Sequence, residues 1–312
     1  MAERDLIQQL DGAVEAMLHG SSAPAGPEVT GLLRIASYLR DLPDPEFRNR
    51  LKEKIMLQTE TKTSWIPQGF HSVTPYLHPA SAAKLIDFLK ATFGAEERGR
   101  YPDASGRIPH AEVRIGDSIL EMGEPPQPLP TSLRAYVHNV DEAYRRALAA
   151  GAASLYEPVD QSYGDREAGV KDPEGNVWFL AKALNIGDYK HPGLQDVGVY
   201  LFPRGASAFI DFLVRAFGAE IVGVHKTPDG MVMHADLKIG DSRIMMGEAH
   251  GPWQPMPAGL HYYVPDVDAA YAQAVEAGGI AVRPPQDQPY GERGAAVDDP
   301  QGNHWYIATR TA

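Results

Sequence analysis

The sequence predicts an α+β chain of tandem βαβββ modules preceded by an α-helical N-terminal arm. Three observations lead there. The chain repeats itself from Phe70 onward, each copy alternates strand-like runs with two amphipathic helical stretches, and the first sixty residues carry helical spacing alone.

In the arm, residues 1–60, Leu6, Leu10, Val14, Met17 and Leu18 fall at helical spacing until the Ser21–Pro27 run interrupts them. Leu32, Ile35 and Leu39 continue the pattern, Leu42-Pro43-Asp44-Pro45 stops it, and Phe47, Leu51 and Ile55 predict a third helix. These stripes suit packing on the main body or on a second subunit, giving a homodimer through the N-terminal helices. Residues 61–69 read as a linker.

The repeat defines two domains, 70–184 and 194–312, joined by a linker at 185–193. Thr74–Leu77 reappears 124 residues on as Gly198–Leu201, Ile86–Leu89 as Ile210–Leu213, and HAEVRIGDSILEMGE at 110–124 as HADLKIGDSRIMMGE at 234–248. A Pro-rich loop is longer in the second copy. Beyond it the offset becomes 127, pairing Tyr163-Gly164-Asp165-Arg166 with Tyr290-Gly291-Glu292-Arg293 and DPEGNVWFLA at 172–181 with DPQGNHWYIA at 299–308.

Within the first copy, Ser72–Leu77 reads as a strand, Ala80–Phe93 as a helix ended by Gly94, and 96–123 as three strands. The second half repeats that order: a strand over Leu133–Val140, a helix capped by Asp141 and terminated by Gly151, then strands over 153–181, with Asp172–Asn176 as a turn. Each domain is therefore two βαβββ modules. How four modules pair, within a domain or across the two, stays open at this point.

Composition excludes several classes. A net charge of −12 with no Lys/Arg run opposes nucleic acid. No Cys is present, so any metal would be held by His and carboxylate. The N-terminus lacks a secretory pattern and no run approaches a membrane span, so a cytoplasmic protein without a membrane partner is expected.

The module order, with IDFLKATFGAE after the first strand, VDEAY opening the second helix and DPEGN before the last strand, resembles the vicinal oxygen chelate superfamily. It is similar to that superfamily's PhnB-like, glyoxalase and bleomycin-resistance branch. The resemblance implies paired modules enclosing a cleft, in proteins ranging from metal-dependent isomerases and ring-cleaving dioxygenases to metal-free drug binders.

Family enzymes place His or Glu at four positions, one on the first and one on the fourth strand of each module, because a divalent ion needs three or four converging donors. Registration from Ile86–Phe88 puts these at Thr74, Glu121, Ala135 and Phe179 in the first domain, and at Gly198, Met245, Tyr262 and Tyr306 in the second. Glu121 alone is a usual ligand, so no metal site and no cofactor are expected. A one-residue slip would bring in His138 or His261, and with it a divalent metal, since it turns a strand's side chains to the other face.

Alternation then lists the cleft linings. The first comprises Thr74, Tyr76, Ile119, Glu121, Val137, Val177 and Phe179; the second, Tyr200, Arg243, Met245, Tyr262, Val264, His304 and Tyr306. Glu121 is a candidate general base, its plainer role being a partner of Arg114 or Arg134, while His304 and Tyr306 are candidates for proton transfer. The substrate-binding candidates are Thr74, Tyr76, Phe179, Tyr200, Arg243, Met245, Tyr262, His304 and Tyr306. Trp178 and Trp305 should face the helices, His110 and His234 read as structural, and Arg166 and Arg293 either gate a cleft or close a turn.

The leading expectation is metal-independent binding of a small, planar organic or antibiotic-like molecule in the second-domain cleft. A metal-independent lyase, isomerase or cyclase using Tyr, His and Glu is the alternative. A metal-dependent glyoxalase- or dioxygenase-type enzyme follows, and an interaction scaffold last.

Overall fold

A computed structural model describes residues 65–310. The helical arm expected over 1–60, and any homodimer formed through it, lie outside the described residues. Four βαβββ modules follow in order. The first is β1 (Val73–Leu77), α1 (Ala82–Phe93), β2 (Glu96–Tyr101), β3 (His110–Ile115) and β4 (Ser118–Met122); the second is β5 (Ser132–Tyr136), α2 (Val140–Ala149), β6 (Ala153–Asp160), β7 (Asp165–Lys171) and β8 (Val177–Ala183). The third is β9 (Val197–Leu201), α3 (Ala206–Phe217), β10 (Glu220–Lys226), β11 (Val232–Ile239) and β12 (Ser242–Met246); the fourth is β13 (Gly259–Tyr263), α4 (Val267–Glu276), β14 (Ile280–Gln288), β15 (Glu292–Asp298) and β16 (His304–Arg310). No helix among the described residues is long and apolar enough to cross a membrane.

Local chemistry sets the boundaries. Ser81 caps α1 by accepting from the Lys84 amide, and Gly94 ends it in the left-handed conformation. α2 is capped by Asn139, which accepts from the Glu142 amide, and not by Asp141 as expected. Asp141 sits in the first helical turn, where it accepts from Arg166. Arg166 also reaches Asp160, so it ties the β6–β7 hairpin to α2; Arg293 does the same through Asp268 and Asp287. Both arginines close turns.

The modules form two eight-stranded sheets that cross the repeat boundary. One runs β14-β15-β16-β13-β1-β4-β3-β2, joining the fourth module to the first; the other runs β10-β11-β12-β9-β5-β8-β7-β6, joining the third to the second. The junctions are antiparallel, β1 with β13 and β5 with β9. The helix-side cores keep to the repeats instead: one gathers α1, α2 and Trp178, the other α3, α4 and Trp305. Both indoles are fully buried there, as expected, each donating to the aspartate of its DP-x-GN turn, Asp172 at 2.9 Å and Asp299 at 3.0 Å. Each repeat thus shares one core, while each cleft is assembled from both repeats.

The repeated IGDS motif makes this crossing. The Asp117 carboxylate accepts from the Asp196 amide at 2.8 Å and Ser118 Oγ from the Val197 amide at 2.9 Å, just as β9 begins in the other sheet. Reciprocally, Asp241 accepts from the Ser72 amide at 2.7 Å and Ser242 Oγ from the Val73 amide at 2.8 Å. The glycines of the motif are required twice over. Gly116 and Gly240 have φ of 57° and 60°, and an added Cβ would come within 1.7 Å of Asp196 Oδ2 and 2.1 Å of Ser72 Oγ. Gly116→Ala and Gly240→Ala should each cost about 2 kcal/mol or more, read as a lowered urea midpoint; an unchanged midpoint in both would remove the motif from the account of assembly.

Candidate functional site

The first cleft expected from the resemblance corresponds to the face, turned away from the helices, of the sheet joining the first and fourth modules. Register sets its members: Tyr76 stands beside Glu121, Thr74 opposite His261, and His261 beside Tyr306. Glu121, 3% exposed, accepts from or faces His261 Nδ1 at 2.8 Å, and Glu292 lies 4.0 Å from His261 Nε2. His78 Nε2 is 3.0 Å from the Tyr306 hydroxyl, and the Tyr76 and Tyr306 rings are 4.9 Å apart. His304 flanks Tyr306 edge-on at 4.4 Å and bonds Asp298 at 2.5 Å.

The electrostatics of this cluster oppose one another. Burial works against a charged His261, but the charge and hydrogen bond of Glu121, with Glu292 behind, outweigh it and raise its pKa. Burial and Glu121 push Glu292 up against the pull of His261. His78 is lowered to about 4 by burial and by His304, so it is a neutral imidazole near pH 7. Burial raises Tyr306 to about 12, against the pull of Arg283, and keeps it a protonated donor. Among the described residues His78 Nδ1 is buried without a partner.

The second cleft lies on the sheet joining the second and third modules, and an ion network fills its polar part. Arg134 donates to Asp165 at 2.6 Å, to Glu167, and to the Tyr136 hydroxyl at 3.1 Å, with all three charged groups buried. The Tyr156 hydroxyl donates to Glu167 at 2.5 Å, and His191 Nε2 is 2.8 Å from Asp165. Beside this lies an aromatic wall of Phe179, Tyr200, Phe202 and Trp253, the last two stacked at 5.6 Å with planes 8° apart.

The structure therefore redistributes the expected residues. Thr74, Tyr76, Glu121, His304 and Tyr306 share the first cleft, whereas Phe179, Tyr200 and Met245 belong to the second, because the sheets cross the repeats. Val177 also moves to the second cleft. Tyr262 and Val264 turn to the helix side, where Tyr262 meets Phe217 at 5.5 Å and donates to its carbonyl at 3.3 Å. Ala135 and Val137 likewise belong to a helix-side core. The cause is a one-residue shift in β5 and β13, which presents Arg134 and His261 to the clefts. Arg243 is occupied by Asp236, donating through Nε at 2.7 Å. Glu121 pairs with neither Arg114, which takes Glu96, nor Arg134. The alternation Leu133, Ala135 against Arg134, Tyr136 was the available signal; for His78 and Trp253 no motif pointed to a site.

With this register the four family positions are Thr74, Glu121, His261 and Tyr306 in the first cleft, and Arg134, Phe179, Gly198 and Met245 in the second. His261 enters as the one-residue slip anticipated, yet it and Glu121 bond each other, and no group of three His, Cys, Asp or Glu among the described residues is placed to hold a metal. Among the described residues the first cleft therefore offers one imidazole and one carboxylate at the family positions, where a divalent ion takes three or four converging donors.

A family model described as glyoxalase/bleomycin resistance protein/dioxygenase superfamily matches residues 77–180 and 198–307. The chain belongs to that superfamily. An uncharacterized protein of Mycobacterium bovis is 36% identical over 119 residues, covering 35% of this chain and 78% of the relative, and one of Mycobacterium tuberculosis is likewise 36% identical over 119 residues, covering 70% of its length. Among solved structures, glyoxalase I from Zea mays superposes with a TM-score of 0.56 at 15% identity, covering 76% of this chain and 92% of that one. A putative dioxygenase from Bacillus subtilis gives 0.53 at 14%, covering 77% and 84%. These likenesses carry the fold.

Two outcomes follow from the superfamily site as this chain builds it. Arg134→Ala leaves Asp165 and Glu167 buried without their cation and should cost about 3–5 kcal/mol, measured by urea unfolding. The two histidines should shape stability against pH in opposite directions. His78, lowered in the fold, contributes fully above its unfolded value of 6.5 and loses that contribution as pH falls toward about 4. His261, raised in the fold, contributes fully below 6.5 and loses it as pH rises through its folded pKa. His78→Gln should flatten the acid limb of the urea-midpoint profile and His261→Gln the limb above 6.5.

Proposed function

We propose that this superfamily member binds a small organic molecule in the first cleft and moves a proton on it without a metal. The observation that carries the reading is the pairing of two acid–base units in one cleft: the Glu121–His261 pair, and the Tyr306 hydroxyl against His78. Glu121 Oε1 has no protein partner among the described residues, so it is available to accept a proton from a C–H bond next to a carbonyl. Tyr306 then donates its hydrogen bond to the carbonyl oxygen as negative charge develops there, with His78 behind it. The proton on Glu121 returns to carbon or to a leaving group, which makes the reaction class an isomerisation or an elimination. Location in the cytoplasm belongs to the same proposal.

Pure sequestration is the second reading, favoured by the aromatic wall at Phe179, Phe202 and Trp253, which suits a planar ligand by stacking. The two readings separate in a thermal-shift screen of small carbonyl compounds followed by product analysis. For proton transfer, Tyr306→Phe and Glu121→Gln should keep the ligand-induced shift while turnover falls about 10²- to 10⁴-fold, and prior chelator treatment should change neither. Turnover restored only by added divalent metal, or untouched in both variants, would sink the reading.

A further inference from the structure

Every position in one cleft has a counterpart in the other, because the two copies pair their strands in the same register. Strands β6 and β7 set Tyr156 opposite Gly169 and Val159 opposite Glu167; β14 and β15 set Arg283 opposite Ala296 and Gln286 opposite Gly294. Arg283 thus stands where the first copy has Tyr156, Gly294 where it has Glu167, and His261 where it has Arg134. In the second cleft the Glu167 carboxylate is held on both oxygens, by Arg134 and by the Tyr156 hydroxyl. In the first cleft the carboxylate is missing, because its position is a glycine, while a guanidinium and an imidazole remain around the place it would fill.

The geometry of that place is open to a side chain. A Cβ built on Gly294 would lie 3.5 Å from Arg283 Nη2 and 3.7 Å from Gln288 Cγ, ordinary contact distances, and Gly294 does not hold a positive φ. Arg283 Nε is buried without a hydrogen-bond partner, and its guanidinium has no carboxylate within 4.0 Å, among the described residues. A buried guanidinium nitrogen left without an acceptor is costly, and a planar carboxylate is its best-matched partner. The guanidinium also lies close enough to Tyr306 and His261 to pull both their pKa values down. Glu292, which stands where Asp165 does, lies 4.0 Å from His261 Nε2, farther than Glu121, and burial pushes it toward its neutral form.

We infer that the ligand of the first cleft carries a carboxylate, which takes the place that the Glu167 side chain occupies in the second cleft and is bound by Arg283. This rests on the reading of the first cleft as the ligand site. It narrows the ligand class to small organic acids, held by the carboxylate at Arg283 and presenting their reacting portion toward Tyr306 and Glu121. The copy within the same chain supplies the precedent: there, the fold provides its own carboxylate at this point.

The test uses the full chain at pH 7.5 and ligand-observed NMR with three probes, benzoate, its neutral amide benzamide, and phenyl phosphate. Benzoate lines should broaden with the wild-type protein and benzamide lines should not. Arg283→Gln should weaken benzoate binding about tenfold or more. Gly294→Glu, which supplies the missing carboxylate from the chain itself, should abolish benzoate binding and raise the thermal midpoint, a gain that a misfolded variant would not show. Equal broadening of benzamide, no broadening of benzoate by the wild type, or full retention in both variants overturns the carboxylate site. Preference for phenyl phosphate over benzoate overturns it in favour of a phosphate ligand. Benzamide binding that survives Arg283→Gln but is lost in Tyr306→Ala, which removes the ring from the cleft, would discard the carboxylate site and leave the cleft as the ligand site, whereas no probe responding to Tyr306→Ala, Arg283→Gln or Gly294→Glu removes both.

Discussion

The reciprocal contact between each IGDS turn and the opening of a strand in the other sheet is the constraint on which the remaining architecture rests. Asp117 and Ser118 hold the start of β9, and Asp241 and Ser242 hold the start of β1, each through backbone amides that would otherwise lose their partners at a sheet junction. Because the carboxylate and the hydroxyl act on consecutive amides, the contact fixes both position and register. The pairing of the first module with the fourth, and of the second with the third, therefore rests on local hydrogen bonds as well as on β1–β13 and β5–β9 pairing. Lys190 reinforces one side by bridging Asp117 and Asp196, the latter at 2.8 Å, where like charges would otherwise repel. Burial alone would raise the Asp117 carboxyl, yet the Asp196 amide and Lys190 hold it below its ordinary range.

Crossing the sheets over the repeats has a chemical consequence. In a chain whose modules paired within each repeat, the clefts would carry first-copy or second-copy side chains alone. Here each cleft takes one module from each copy, so sequence drift between the copies produces two different sites from one fold. Glu121 meets His261 in one cleft; Met245 packs with Tyr136 and Tyr200 in the other. One is polar and left with unpartnered nitrogen atoms, while the other has spent its charges on an internal network and its remaining surface on aromatic stacking.

Much of this was legible in the sequence, for physical reasons that differ by element. The repeat, the module order and the helix-facing tryptophans follow from patterns that are local, such as the DP-x-GN turn whose aspartate receives the indole of Trp178 or Trp305. Glu121, Tyr306, Tyr76 and His304 were found as candidates because strand alternation is short-ranged. Their assembly into one cleft was not legible, since it depends on the junction of β1 with β13, strands separated by most of the chain. The positions of Arg134 and His261 were missed by one residue because registration was carried across the loops before β5 and β13. In Leu133-Arg134-Ala135-Tyr136 the alternation itself points the arginine away from the core.

The comparison of the two clefts also bears on why the polar one keeps its costs. A buried ion pair such as Glu121–His261 returns little net stability against an apolar replacement, and an imidazole nitrogen or a guanidinium nitrogen without a partner is unfavourable in itself. The second cleft carries other residues at the same positions: methionine for Glu121, phenylalanine for Tyr306 and for His78, tyrosine for Arg283 and glutamate for Gly294. The first cleft departs from every one of them. Five departures on one face are accounted for together if the missing partner is a molecule that enters from solution, because such a molecule offers a complement to the free Oε1 of Glu121 and to the unpartnered nitrogens of His78 and Arg283.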